Sequence, residues 1–207
     1  MVISPDYRGH NDSEGHKYTG KTLSRNWYSR DVITLFGLIN RLPNADTANV
    51  FMSGHSMGAP VTVNVLLALG NKIRGASIWS GSLADFSSRA AMHSAAAAIA
   101  ANSSANVTGS IEAVLQEFSQ QSPALTPGQA YFGNYLALLQ TPLNIHHASG
   151  DQATSFLGSI QLAIKLERLS KPYRLYAYKG GEHLFKGADF QRAISRDVLL
   201  FQDLMQQ

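Results

Sequence analysis

The chain has 207 residues, of which 44% are hydrophobic and 15% charged, a balance typical of one folded domain rather than a disordered chain. Its formal net charge is only +3 and its basic residues are scattered, so we expect no nucleic-acid partner. The absence of cysteine excludes disulfide scaffolds, thiol nucleophiles and cysteine-ligated metal sites. No apolar run is long enough to span a membrane, and the N-terminus lacks a signal-peptide pattern, which favours a cytoplasmic location.

Strand-like and helix-like apolar patterns alternate along most of the chain. The predicted strands cover residues 49–52, 73–79, 143–147 and 173–178. The helical patterns run from Val32 to Leu42, Pro60 to Leu69, Phe156 to Leu169 and Phe190 to Met205. This alternation predicts an α/β fold, in which a mostly parallel sheet carries helices on both faces.

Residues 82–141 depart from this alternation because they are rich in alanine and serine. Alanine favours helix, so a small-residue helix is predicted over residues 89–101. An insertion between two strands is either a lid over a site or a peripheral segment that only covers core. We therefore predict a single domain over residues 1–207 with an inserted helical cap at residues 82–141.

One Gly-x-Ser-x-Gly pattern lies at residues 54–58, between a predicted strand and a predicted helix. Such a turn holds its serine, here Ser56, in a strained backbone conformation, and its glycines let neighbouring backbone pass closely. A glycine–serine turn without reactivity is the alternative interpretation. Because a serine hydroxyl is a poor nucleophile at neutral pH, it needs a base and a group that orients the base.

The best candidates for these two partners each follow a predicted strand. His183 lies in a glycine-rich loop and is the candidate base, and Asp151 is the candidate acid. Both fall at carboxyl ends of strands, where open α/β sheets bind their ligands. The order Ser56, Asp151, His183 is that of the α/β-hydrolases. Asp85 is an alternative acid, whereas Asp189 is interpreted as a first-turn residue of the last helix.

Other polar and aromatic residues could suggest a metal or substrate site. His146 and His147 are neighbours on a predicted strand, so they point to opposite faces and cannot easily share a metal. His55 is predicted to pack beneath the serine turn. A loop role is the simpler interpretation of His10, Asp12, Glu14 and His16. Pocket and core roles both stay open for Trp27, Tyr28, Tyr131, Phe132 and Tyr135.

Five segments together resemble the prolyl-oligopeptidase-type branch of the α/β-hydrolases: Pro5–His10, Asp12–Gly15, Gly54–Gly58, Ser149–Asp151 and Gly180–His183. The resemblance implies an α/β-hydrolase fold with Ser56 as nucleophile, Asp151 as acid and His183 as base. This assignment agrees with the choice made from the residues themselves. It also implies that the backbone amide of Met57 is one oxyanion donor.

The N-terminus departs from this family. In that family the Pro-Asp-Tyr-Arg-Gly segment follows the fourth strand. Here the segment begins at residue 5, so we expect the first three strands and the loop with the second oxyanion donor to be missing. We expect an unpaired strand edge, because the third strand belongs inside the sheet. A fragment of a longer chain, a rearranged N-terminus or a homo-oligomer that completes the sheet would each account for it. Loss of one oxyanion donor costs about two to three orders of magnitude in turnover.

The function expected from these observations is that of a serine hydrolase, a carboxylesterase acting on small-molecule esters through an acyl-enzyme intermediate. It requires no cofactor and no metal. Esters rank first because an alkoxide leaves more easily than an amine, and because no propeller or other gating domain of the peptidases is visible. The alternatives are an acylaminoacyl or dipeptidyl-type peptidase, and a catalytically silent fragment or binding module with the same fold.

Overall fold

A computed structural model describes residues 1–19, 24–83 and 127–207. At its centre is a four-stranded sheet in which every neighbouring pair is parallel. In spatial order the strands are β1 (Phe51–His55), β2 (Gly75–Trp79), β3 (Leu143–Ala148) and β4 (Tyr173–Tyr178). The helices are α1 (Ser24–Phe36), α2 (Gly58–Leu69), α3 (Pro127–Ala130), α4 (Phe156–Arg168) and α5 (Gly187–Met205). None of the helices in the described ranges is long and apolar enough to cross a membrane.

Alternating side chains of β3 show how the helices divide between the two faces of the sheet. Leu143 and Ile145 pack into the main apolar cluster together with residues of α2 and α4. Asn144 and His146 point the other way and hydrogen-bond to Asp197 of α5. The predicted parallel sheet with helices on both faces is therefore confirmed, and it is the architecture of the α/β-hydrolases.

The main apolar cluster includes the C-terminal end of the predicted cap. Tyr131, Phe132, Leu136 and Leu139 are buried in it, which assigns a core role to the first two aromatic residues. Tyr28 is likewise buried, whereas Tyr135 is 40% exposed. Residues 84–126 of the predicted cap, including the predicted helix over 89–101 and the alternative acid at position 85, lie outside the described residues.

The N-terminal segment packs on α1 and α2 instead of adding a strand. The ring of Tyr7 stacks on Tyr28 of α1 with 4.7 Å between centroids, and both rings join an apolar cluster of α2 residues. The guanidinium of Arg8 donates hydrogen bonds to the Asp31 carboxylate, with Nε 2.9 Å from Oδ1. No described residue pairs with the outer edge of β1, so the expected unpaired strand edge is present.

Several element boundaries differ from those predicted. The helix expected from Val32 to Leu42 instead begins at Ser24 and ends at Phe36, and Ile39–Arg41 forms a separate 3-10 turn. Gly37 follows the helix, and glycine is a poor helix former. The first strand lies at residues 51–55 rather than 49–52. The last strand, Tyr173–Tyr178, lies where it was predicted.

Candidate active site

The serine turn connects β1 directly to α2. Ser56 has a positive φ of 54°, a conformation that costs a non-glycine residue on the order of 1 kcal/mol or more. Backbone hydrogen bonds hold it there: its N–H donates to Trp79 O at 2.9 Å, and its carbonyl accepts from Ala59 N at 3.1 Å and Ser82 N at 3.2 Å. The predicted strained conformation of the serine is confirmed.

The two glycines of the turn have different roles. A Cβ added at Gly54 would overlap the carbonyl oxygen of Gly58 and the hydroxyl of Thr62, so no side chain fits there. Among the described residues, a Cβ added at Gly58 would meet only the Tyr7 hydroxyl, at 3.9 Å. The predicted close approach of backbone is therefore found at the first glycine, and it was wrong for the second.

The candidate acid and base are joined by a hydrogen bond. His183 Nδ1 lies 2.9 Å from Asp151 Oδ2. A carboxylate can only accept, so Nδ1 carries the hydrogen, and Nε2 of the neutral ring keeps a free lone pair. Asp151 is itself fixed, because its Oδ1 accepts from the amides of Ala153 at 2.8 Å and Thr154 at 2.9 Å.

Ser56 is not hydrogen-bonded to this pair. Its hydroxyl makes no hydrogen bond to His183 or to any other residue in the described part of the chain. Catalytic hydrogen bonds are often long in free enzymes and shorten when substrate binds. The structure thus brings Asp151 and His183 together, and the contact of Ser56 with the imidazole stays a prediction.

His55 occupies the space next to the candidate base. Its ring lies 4.7 Å from the ring of His183, between centroids, and its Nε2 is 3.0 Å from the carbonyl oxygen of His183. The side chain is exposed. The prediction that His55 packs beneath the serine turn was therefore wrong, because the strand directs this side chain towards the loop after β4.

Met57 stands at the N-terminal boundary of α2, which begins at Gly58. Amides at the start of a helix have no acceptor within the helix, and the helix dipole favours negative charge there. An oxyanion could therefore accept from the Met57 amide, as the family resemblance implies. This role stays a prediction.

A second imidazole shares the Asp151 carboxylate. His147 is fully buried, and its Nε2 lies 3.2 Å from Asp151 Oδ2, while its Nδ1 lies 2.6 Å from Ser159 Oγ. Burial lowers the pKa of His147 despite the nearby carboxylate, so this ring is neutral at pH 7. His183, rather than His147, is thus the imidazole whose positive charge the Asp151 carboxylate can stabilise. His146 points to the opposite face, as predicted.

Burial alone would raise the pKa of Asp151, but hydrogen bonds from His183, Thr154 and the Ala153 amide outweigh it and lower the pKa to about 2. Its unfolded value is about 3.9, so ionised Asp151 contributes stability above that pH and the contribution is lost as the pH falls towards 2. We expect the ionised Asp151 carboxylate to contribute about 2 kcal/mol to the free energy of unfolding at neutral pH.

Urea unfolding of the wild type and Asp151→Asn from pH 7 to pH 2.5 measures this contribution. The difference in unfolding free energy between the two proteins should be constant above about pH 5 and shrink below it. A difference that stays constant down to pH 3 would contradict the lowered pKa.

Sequence reasoning missed Thr154, His147 and Ser80, which contact the acid or the base. Thr154 had a local signal, because an aspartate often accepts hydrogen bonds from amides two and three residues later. Ser80 had none, since its contacts depend on which strands become neighbours in the sheet. His147 lies only four residues before Asp151, but no pattern in the sequence indicates that its side chain turns towards the acid.

A parallel sheet with a Gly-x-Ser-x-Gly turn after β1, and with an aspartate–histidine pair after β3 and β4, defines an α/β-hydrolase. Residues 1–126 match the family described as serine aminopeptidase, S33, and the chain belongs to that family. Family and fold together place it among the serine hydrolases of α/β-hydrolase type, and they confirm the resemblance noted in the sequence. No curated protein matches this sequence.

Solved structures of peptidases and of a lipase share the fold. Porphyromonas gingivalis dipeptidyl peptidase 4 is 16% identical with a TM-score of 0.65, and the match covers 88% of this chain and 23% of that one. Pyrococcus horikoshii acylaminoacyl peptidase is 16% identical with a TM-score of 0.65, covering 97% and 31%. Paleococcus ferrophilus monoacylglycerol lipase is 17% identical with a TM-score of 0.58, covering 95% and 81%. The chain thus spans under a third of the peptidases and most of the lipase.

Proposed function

We propose that this protein cleaves small carboxylic esters through an acyl-enzyme intermediate. The observation that carries the proposal is the 2.9 Å hydrogen bond from His183 to Asp151, beside a strained serine turn at the same edge of the sheet. A nucleophile, a base and an orienting acid are the parts that acyl transfer to a serine requires.

The reaction has two halves. Ser56 Oγ forms a bond to the ester carbonyl carbon while His183 Nε2 takes its proton, and the Met57 amide donates to the resulting oxyanion. Asp151 stabilises the imidazolium. The intermediate then collapses by breaking the C–O bond, and the alcohol leaves with the proton from His183. In the second half, water gives a proton to His183 while its oxygen bonds to the acyl carbon. The bond between this carbon and Ser56 Oγ then breaks, His183 returns the proton to Ser56 Oγ, and the acid leaves.

Chemistry favours esters over peptides. An alkoxide is a better leaving group than an amine, so ester cleavage tolerates a weaker oxyanion site, and the Met57 amide is the donor identified among the described residues. The monoacylglycerol lipase, most of whose length the chain spans, also supports esters. A peptidase is the second candidate, because the family and two of the similar structures are peptidases.

Labelling with a fluorophosphonate tests the nucleophile. We expect the probe to label the wild type and Ser53→Ala, but not Ser56→Ala, because the probe reacts with an activated serine hydroxyl. Ser53 is a matched control, since it is an exposed serine of β1, three residues before Ser56. Labelling that persists in Ser56→Ala would contradict the assignment, and no labelling of folded wild type would favour the silent module.

Substrate class is tested by comparing p-nitrophenyl acetate with aminoacyl p-nitroanilides. We expect kcat/KM to be higher for the ester, because the anilide carries the poorer leaving group. Higher kcat/KM for the anilides would favour the peptidase.

A further inference from the structure

The loop that carries the candidate base has few backbone contacts of its own. We call residues 179–186 the His183 loop. Residues 179–185, all of which the structure describes, make no backbone–backbone hydrogen bond. Gly180, the second residue of the loop, has a φ of 66°, and its amide donates to Ser149 Oγ at 3.1 Å. The position of His183 therefore depends on a small number of side-chain contacts.

Two of these contacts converge on one atom, the carbonyl oxygen of His183. Ser80 Oγ lies 2.9 Å from it and His55 Nε2 lies 3.0 Å from it. A carbonyl oxygen can only accept, so both side chains donate, and the Nε2 of His55 carries its hydrogen. Ser80 is fully buried, whereas His55 is exposed. The Ser80 hydroxyl is thus the donor that is sheltered from competing water.

Ser80 also contacts the acid side of the site. The carbonyl oxygen of Ser80 lies 3.0 Å from Thr154 Oγ1. The Thr154 hydroxyl in turn lies 2.8 Å from Asp151 Oδ2. The Ser80 amide donates to His146 O at 2.8 Å. Ser80 therefore touches the loops that follow β3 and β4.

The backbone of Ser80 is itself unusual. Its φ is 45°, in the left-handed region that non-glycine residues seldom adopt. A strained, fully buried serine persists only when its surroundings fix it, and such residues cluster at functional sites. The strain directs its hydroxyl to the His183 carbonyl while its amide continues the pairing between β2 and β3.

We infer that Ser80 is a positioning residue, which fixes the main chain of His183 by donating its hydroxyl hydrogen to the His183 carbonyl oxygen. The expected effect of Ser80 on catalysis rests on the proposed function, whereas its effect on the position of the His183 main chain does not. In that reaction, His183 must hold its imidazole between Asp151 and Ser56. Asp151 fixes one end of the residue, the ring, and Ser80 fixes the other, the backbone.

Two variants separate the hydroxyl from the backbone strain. Ser80→Ala removes the hydroxyl and keeps the Cβ, and Ser80→Gly removes both and accepts a positive φ without cost. Ser29→Ala is the matched control, because Ser29 is a buried serine of α1 whose hydroxyl donates to Arg25 O, away from the His183 loop. His55→Ala, alone and combined with each Ser80 variant, tests the second donor.

The first measurement is hydrogen exchange of the Gly180 amide, the amide of the His183 loop that donates to Ser149 Oγ, and it does not depend on activity. We expect exchange about fivefold faster in both Ser80 variants, the effect of losing one ordinary hydrogen bond, and unchanged in Ser29→Ala. The second is ester hydrolysis. We expect kcat to fall about tenfold in both Ser80 variants with KM nearly unchanged, because substrate binding does not require the positioned imidazole.

The outcomes separate this inference from the proposed function. Faster exchange in the Ser80 variants supports the positioning role even if the wild type hydrolyses no ester, a result that would count against the proposed function alone. Normal exchange and normal kcat in both variants of an active enzyme would overturn the positioning role. Effects of Ser80→Ala and His55→Ala that are not additive would support their action on the same carbonyl oxygen.

Discussion

Replacing His183 with alanine is expected to lower kcat for ester hydrolysis by about six orders of magnitude, to the level left by Ser56→Ala. Without an imidazole, no group accepts the Ser56 proton and none returns it to the leaving alcohol. Asp151→Asn should cost about four orders of magnitude, since the asparagine cannot hold the same tautomer or stabilise the imidazolium. Steady-state kinetics with a p-nitrophenyl ester measure all three variants.

The double variant Ser56→Ala/His183→Ala should be no slower than either single variant, because residues that act as a unit have non-additive effects. His16→Ala is the control, since His16 is an exposed histidine of the N-terminal segment. A loss below tenfold in His183→Ala would identify a different base. His55, whose ring is 4.7 Å away, would then be the first residue to test.

The pairing of Asp151 with His183 could be predicted because each residue has a local signal. Asp151 and His183 both follow strands rich in apolar or aromatic residues, and parallel strands bring their carboxyl ends to one edge. Ser80 has no such signal. Its partner, the carbonyl of His183, lies 103 residues further along the chain, and a backbone oxygen has no sequence pattern.

Apolar periodicity predicted the bounds of an element correctly where its buried residues are apolar, and it failed where the buried residues include polar ones. Strand β4 matches its predicted bounds because aromatic and β-branched residues fill it. In α1 the buried residues are Ser24, Tyr28 and Ser29, so the buried face carries little of the aliphatic pattern on which the prediction relied. The aliphatic residues after Val32 led instead to a helix extended past Gly37.

The largest stability effect is expected at Asp197, on the face of the sheet opposite α2 and α4. Its buried carboxylate accepts four hydrogen bonds: from Ser77 Oγ at 2.6 Å, His146 Nε2 at 2.8 Å, and Trp79 Nε1 and Asn144 Nδ2 at 2.9 Å each. Burial would raise the pKa of Asp197, but these bonds, led by the one from His146, lower it. The carboxylate therefore joins α5 to β2 and β3.

Asp197→Ala should lower the free energy of unfolding by about 4 kcal/mol, because it removes an acceptor shared by four buried donors. Of these, Trp79 Nε1 keeps Ser77 Oγ as an acceptor and Asn144 Nδ2 keeps Arg196 O. Urea unfolding at pH 7 measures the loss. Asp203→Ala is the control, an exposed aspartate of the same helix, and should change stability by less than about 0.5 kcal/mol. The backbone carbonyls of Trp79 and His146 accept from the amides of Ser56 and Ser80. The side-chain hydrogen bonds of Asp197 therefore also support the strand ends beneath the candidate active site. A loss below about 1 kcal/mol in Asp197→Ala would mean that the cost of burying the carboxylate nearly cancels its four hydrogen bonds.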